Sequence, residues 1–414
     1  MIPSGFGRIC NEVATRLAQR GHQVSGCSIL WDGVMTEDWY APQAHKYPFH
    51  ITGLAGRDWT QYLFNIVGLA NPDIVIVTQD FPYGVQAYYS LKIDWSRRKF
   101  CMITPIDGEP IFEEWLKTVD EIDATFVISE FGVEAMRKAG RKVYLCPPAV
   151  DHHVFHPASA EERKSLRAKA GLADEFVLVM AAMNQGRKDV PHTIEGWWEF
   201  AKDKPHARLH LDMDKVSPAG WNIPTLLRTM GIPEDRVSYK EDWVKKGLNA
   251  LRDRFVVCDA HSVLAHREGF GLPLMESMAC GIPAIAMDWC AGTEQCGNGQ
   301  GFLVNRNESS RRHSTWGNAY DYDPSIPDFT QVLNTIHNNP VGAKAIAQRG
   351  YEWAKARTWD KTTDMVEEVL LKLKGESNAL QSSCASVQST RDGSQVMQIP
   401  HSEPAREVEG SPAH

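Results

Sequence analysis

The chain has 414 residues, 43% of them hydrophobic, which at roughly 150 residues per domain is enough for two to three buried cores. Its 44 Lys and Arg against 52 Asp and Glu give a net charge of −8, which excludes the overall basic excess of a protein whose main partner is nucleic acid or an anionic membrane. No apolar run reaches the roughly 18–20 residues that span a bilayer, and the N-terminus MIPSGFGRIC lacks a secretory pattern, so a cytoplasmic location is expected.

In chain order, Ile9, Val13 and Leu17 recur every four residues with Ala14 and Ala18 beside them, which predicts an amphipathic helix over 8–20 ended by Gly21. Gly5 and Gly7 of SGFGR precede it as a turn, and QVSGCSIL follows as a strand. Apolar runs at 73–78, 100–104, 124–129 and 143–146, with helix-like stretches between several of them, predict a parallel, doubly wound sheet. PPAVDHHVFHP breaks both periods, so a linker at 150–157 is placed between a first domain at 1–149 and a second at 158–350. Alternation resumes with FVLVMAAM, a helix around 194–200, ARLHLDM, NIPTLLRTMG, RVSY, RFVVCDA, LPLMESMACG, PAIAMDW and GFLV. A last helix over 351–374 offers Trp353, Trp359, Met365, Val369 and Leu373 to a core. Residues 375–414 are rich in Ser, Gln, Pro and Glu without an aromatic residue, the composition of a disordered tail. The nine cysteines form no CxxC pair and several sit in apolar runs, as reduced, buried thiols do.

The chemistry concentrates in HREGFGLPLMESMACGIPAIAMD. Glu268 follows a strand and its loop, Gly269 and Gly271 come next, and Pro273 opens a helix with Glu276 in its first or second turn. Both carboxylates then face one crevice at the C-terminal edge of a parallel sheet, where ligands bind in open α/β folds. The glycines leave backbone N–H groups approachable, and the helix N-terminus suits a diphosphate. Two acids can take the hydroxyls of a sugar and a ribose. The plainer alternative is a pair of solvated acids at a loop–helix junction.

EGFGLPLMESMACGIPAIA resembles the nucleotide-sugar signature of the large retaining glycosyltransferase family of GT-B fold, glycosyl transferases group 1 (family 4). SGFGRICNEVATRLAQRGHQV resembles the family's first loop and helix, VISEFGVEAMRKAG its last N-domain strand and helix, and PPAVDHHVFHP its interdomain linker, so the likeness covers about 2–374. It implies two Rossmann-like doubly wound domains facing a central cleft, with the last helix over 351–374 returning to the N-domain. In the family a strand feeds the SGFGR loop. Here that strand is missing before Ser4, which leaves open a start further upstream or a sheet that closes without it.

The resemblance implies that Glu276 binds the ribose hydroxyls and Glu268 lies by the transferred sugar, with the amides of Gly269, Phe270 and Gly271 on sugar or phosphate oxygens. Arg187 and Lys188 of NQGRKDVP match the basic site that neutralises the leaving diphosphate, and Gly5 and Gly7 the glycine loop on the N-domain side. Asp107 of ITPIDGEP matches a position near sugar and acceptor, so Glu268 and Asp107 are the catalytic candidates. Glu294 of AGTEQ matches a recurrent glutamate without an assigned role. Where many members carry a further arginine, this chain has AAMN. The implied activity is retaining transfer of a hexose from a GDP- or UDP-linked donor to a carbohydrate, lipid-linked or other hydroxyl acceptor, with no metal or bound cofactor. Acceptor choice falls to N-domain loops such as 31–48.

Peripheral contact with the inner membrane surface and the oligomeric state stay open, and no nucleic-acid partner is expected. The alternative is a catalytically weak or silent nucleotide-sugar-binding protein of the same fold. An epimerase would not be expected to carry EGFGLP, a phosphorylase would need a pyridoxal-phosphate lysine context, and a nicotinamide oxidoreductase would need GxGxxG, of which SGFGRI has only the first two glycines. His152, His153 and His156, like His261 and His266, look metal-like but lack an accompanying Cys or carboxylate at ligand spacing in the sequence. The basic run Arg97, Arg98, Lys99 reads as a solvated turn or a contact for a phosphorylated or lipid-linked acceptor.

Overall fold

The computed structural model describes residues 5–28, 47–53, 59–90, 95–239, 248–315 and 317–388, so most of the 31–48 loop and all of 389–414 lie outside the described residues. The first half runs α1 (Gly5–Gln19), β1 (Ser25–Ser28), β2 (His50–Gly53), α2 (Trp59–Ala70), β3 (Ile74–Thr78), α3 (Phe81–Ser90), β4 (Lys99–Thr104), α4 (Glu113–Glu121), β5 (Ala124–Val127), α5 (Glu130–Lys138) and β6 (Tyr144–Leu145). All its strand pairs are parallel, in two separately bonded sheets, β1–β2 and β3–β4–β5–β6. Ile9, Val13 and Leu17 are buried along one face of α1, as their spacing requires, and Gly21 at φ 94° leaves the helix in the left-handed conformation that glycine adopts without steric cost. β4 is nearly all buried whereas β3 is mostly half-exposed, since β3 is an edge.

The second half runs α6 (Ala160–Lys169), β7 (Phe176–Ala181), α7 (Val190–Ala201), β8 (Ala207–Asp212), α8 (Ile223–Thr229), β9 (Val237–Tyr239), α9 (Leu248–Val257), β10 (Ala260–Val263), α10 (Leu272–Ala279), β11 (Ala284–Met287), α11 (Ala291–Cys296), β12 (Phe302–Val304), β13 (Arg306–His313), β14 (Tyr320–Pro324), α12 (Ile326–Asn338), α13 (Pro340–Lys355) and α14 (Trp359–Gln388). Six strands form a parallel sheet in the order β12-β11-β10-β7-β8-β9. This is a doubly wound sheet whose direction of growth reverses between β7 and β10, and the crevice beyond the carboxyl ends of those two strands is the ligand position of such folds. The apolar run RFVVCDA divides, Phe255–Val257 finishing α9 and the strand starting at Ala260, because a short apolar run fits either element. The antiparallel hairpin β13–β14 had no forecast in the sequence: its first strand, RNESSRRH, is polar and shows no buried face.

The single helix expected over 351–374 is two. α13 ends at Lys355, and α14 starts at Trp359 after Thr358, whose hydroxyl accepts from Lys361 N–H at 3.4 Å. α14 continues to Gln388, past the 375 boundary expected for a disordered tail, as no proline interrupts the chain there. Its buried face is Trp359, Val366, Val369, Leu370 and Leu373, while Met365 points outward at 37% exposure. α14 lies against α1, held by Arg16–Asp360 and Arg20–Glu367 ion pairs at 2.9 and 2.5 Å, and Thr362 donates to Pro147 O at 2.6 Å. The last helix thus packs on the first half of the chain. Cys10, Cys27, Cys101, Cys146, Cys258, Cys280, Cys290 and Cys296 are unpaired, and the last six of them are buried. No helix of the described residues is long and apolar enough to cross a membrane.

Candidate active site

Arg187 and Lys188 form a short turn after β7, and Glu268 lies in the loop after β10, so the strand order brings together residues 80 positions apart. Lys188 Nζ is ion-paired with Glu268, and Arg187 Nη1 sits 3.5 Å from Glu268 Oε2 and donates to Arg267 O at 3.1 Å. Burial alone would raise the Glu268 carboxyl, but the Lys188 and Arg187 charges overcome it and hold the group at about 2. Burial and the neighbouring Arg187 charge push Lys188 down. The result is a half-buried carboxylate held by two cations at the carboxyl edge of the sheet.

The loop to α10 is shaped by backbone. Gly271 takes φ 92° as it enters the helix, and a Cβ on Gly269 would lie 2.5 Å from Pro105 Cβ, so only glycine fits there. Gln295 Nε2 donates to Phe270 O at 2.5 Å and fixes the loop from beneath. Glu276, in the second turn of α10, is 1% exposed and ion-paired with Arg8 of α1. Gly5 and Gly7 stand in the first turn of α1 rather than in a turn before it, and Gly5 approaches Leu272, the first residue of α10. The N-termini of α1 and α10 therefore lie close together, a pairing of partial positive charges suited to an anion.

Asp107 is also in the crevice, but Arg267 holds it: Nη1 lies 3.3 Å from each carboxylate oxygen, and Arg267 Nε donates to Asp321 of β14 at 2.5 Å. The polar hairpin thus joins the site, and Tyr320 N–H donates to Glu109 O at 2.8 Å. Asp80, after β3, is a further member that pattern reading missed although it follows a strand at the same edge. Burial and the Asp107 charge push its carboxyl up to about 6 against the pull of Arg187. Arg8 and Arg267 were missed as well, each adjacent to a motif residue. Glu294 spans the two halves, accepting from Glu130 and Phe131 N–H at 2.8 and 3.3 Å at the start of α5; burial and the Glu130 charge raise it to about 7.

Three other sequence features fall elsewhere. Asn184, in the AAMN that stands for the family arginine, is committed to structure, donating to Asp214 O and Trp221 O at 2.9 and 2.8 Å. Arg98 bonds Asn71 at 2.6 Å and Lys99 pairs with Asp123 at 2.9 Å, at the amino end of β4 and opposite the crevice. Among the described residues His152, His153 and His156 belong to no group of three metal-ligating side chains, and His261 is a buried neutral imidazole, Nδ1 at 2.8 Å from Ser277 Oγ, taken down to about 3 by burial and the Lys188 charge. His266 differs: the fold supplies carboxylates the sequence spacing did not, placing Asp189, His192 and Asp323 around it.

Known proteins share part of this sequence and its fold. Residues 244–313 match the family described as glycosyl transferases group 1. The D-inositol 3-phosphate glycosyltransferase of Kineococcus radiotolerans is 26% identical over 246 residues, 55% of this chain and 51% of that protein. The N-acetyl-alpha-D-glucosaminyl L-malate synthase of Bacillus anthracis is 23% identical over 304 residues, 68% of this chain and 75% of that protein. The chain spans about a third to a half of the length of the first relatives it matches. Among solved structures, the sucrose-phosphate synthase of Thermosynechococcus elongatus superposes with a TM-score of 0.71 at 16% identity, covering 90% of this chain and 94% of that one. Anabaena HepE in complex with UDP and glucose gives 0.67 at 16%, covering 89% and 96%. The parallel sheets, the crevice at their carboxyl edges and the solved structures give the chain a GT-B fold, within which residues 244–313 resemble the group 1 glycosyltransferases.

Proposed function

We propose that this protein transfers a hexose from a nucleoside-diphosphate sugar to an acceptor hydroxyl with retention of anomeric configuration. The observation that carries this reading is the partly buried Lys188–Glu268–Arg187 cluster at the switch point of the second sheet, beside the neighbouring N-termini of α1 and α10. A departing diphosphate develops negative charge, and cations already in position stabilise it without reorganisation. In this reading Lys188 and Arg187 receive the diphosphate, Glu268 holds them in place and lies by the sugar, and the amides of Gly269, Phe270 and Gly271 serve its oxygens. Glu276 exchanges Arg8 for the ribose hydroxyls. Asp107 and Asp80 face the acceptor side. Solved structures of this fold bind UDP or UDP-glucose in HepE, which favours UDP-linked donors for the first trials.

The two halves sit close together. Gly269 packs on Pro105 and Glu294 caps the start of α5 across the crevice, so donor entry is expected to need the halves to separate. The test is release of UDP or GDP from a panel of sugar nucleotides. Lys188→Ala is expected to lower kcat/KM by about 10²–10³-fold, and Glu276→Ala to weaken donor binding. Failure of the folded chain to bind any nucleotide sugar at millimolar concentration would reject the reading. Binding without turnover would instead support a silent binding protein, the reading that Asn184 favours by leaving the family arginine unreplaced.

A further inference from the structure

We propose that Asp189, His192, His266 and Asp323 form a binding site for a divalent transition metal of the zinc class. The four residues come from three separate parts of the chain: the turn into α7 and its first turn, the loop between β10 and Glu268, and strand β14. Each offers one ligand atom, and the four atoms lie within 4.8 Å of one another. His192 Nδ1 is 2.8 Å from both oxygens of Asp189, and His266 Nε2 is 3.0 Å from Asp189 Oδ2 and 3.3 Å from Asp323 Oδ1. Four ligands at about 2.0–2.1 Å from a tetrahedral zinc stand about 3.3–3.4 Å apart, so most of these separations need only small side-chain rotations.

The donor set suits that chemistry. Two imidazoles and two carboxylates are the ligands of borderline divalent metals, and a neutral metal-bound pair of histidines needs no proton shared between two acids. His266 Nε2 now faces two carboxylates, and one N–H cannot serve both well. Asp189 is 2% exposed and held at φ 53°, and the His266 backbone N–H donates to Arg187 O at 2.9 Å, so the ligands are supported from behind. Arg312 Nη1 donates to Asp323 Oδ1 at 2.8 Å, and its Nη2 stands 3.2 Å from His266 Nε2. That guanidinium, 42% exposed at the side chain, is the group a metal would turn away from His266. Access is open, because His192 and Asp323 line a cavity of about 650 Å³ that also holds Glu195, one turn further along α7.

The site would clamp the β13–β14 hairpin to the segment carrying Lys188, which precedes Asp189, and to the loop carrying Glu268, two residues past His266. Its effect on activity rests on the transferase reading above; metal binding does not.

The experiment is titration of the tag-free full chain, first stripped with chelator, with Co²⁺ and Zn²⁺. The expected result is one zinc per chain retained through gel filtration, and visible Co²⁺ absorption of tetrahedral intensity that zinc displaces. Asp323→Ala and His192→Ala are each expected to weaken zinc at least about tenfold. His192→Gln, which keeps side-chain bulk, serves if the alanine variants unfold. A wild-type chain with an intact melting transition that neither retains zinc nor gives the cobalt band overturns the proposal. Equal zinc binding by wild type and both ligand variants also overturns it, since the metal would then be held elsewhere. Absence of any sugar-nucleotide turnover in a chain that binds zinc would strike the transferase reading and leave this one standing.

Discussion

Glu268, Glu276, Arg187 and Lys188 could be picked out along the chain because each belongs to a local pattern: a strand end, a glycine-bearing loop and a helix start. Their partners could not be, since Arg8, Asp80 and Arg267 enter the same crevice only through strand order and helix docking. Asp107 shows the same limit, as its position was legible but its capture by Arg267 was not. Asp80 supplies a test at this scale. Its folded carboxyl titrates at about 6, above the ordinary 3.8, so the folded state binds the extra proton and the resulting stability is present below about 4 and lost as pH rises through 6. Asp80→Asn is therefore expected to raise the melting temperature at pH 7–8, with the gain vanishing near pH 4. A gain that is independent of pH would show that Asp80 is not the buried acid of this crevice.

Among the elements, the helices with one apolar stripe were legible, and α1 matches its periodicity residue by residue. α14 shows where periodicity misleads. Met365, Val369 and Leu373 recur every four residues, yet the helix rolls so that Val366, at 0% exposure, takes the inner place and Met365 the outer. Both choices give a continuous apolar stripe, and the docking of α14 on α1 decides between them. Val366→Ala is expected to cost about 2 kcal/mol, and Met365→Ala to stay within about 0.5 kcal/mol, as urea midpoints at unchanged slope will report. Equal effects would mean that α14 docks with another face. The β13–β14 hairpin was illegible for a different reason: β13 buries nothing, so the short alternation of β14 around the buried Tyr322 has no apolar partner strand to read beside it, and the hairpin's place is fixed by ion pairs to Arg267 and His266.

For the whole molecule, the two halves meet at glycine. Gly269 packs on Pro105, and a Cβ on Gly108 would lie 2.8 Å from Ala319 Cβ of the hairpin connection. Gly269→Ala is expected to hold the halves apart, increasing the radius of gyration in solution scattering and lowering kcat/KM by about 10²-fold, with the melting temperature nearly unchanged. An unchanged scattering profile together with full activity would remove this contact from the closing motion. What the sequence by itself determined was the alternating α/β architecture, the EGFGLP loop with its two glutamates and the basic turn after β7, because these rest on periodicity and on residues within one strand–loop–helix unit. Which distant charges neutralise them, which face of α14 is buried, and how His266 meets Asp189, His192 and Asp323 were decided by tertiary structure alone, because those distances are set by strand order and helix docking rather than by spacing along the chain.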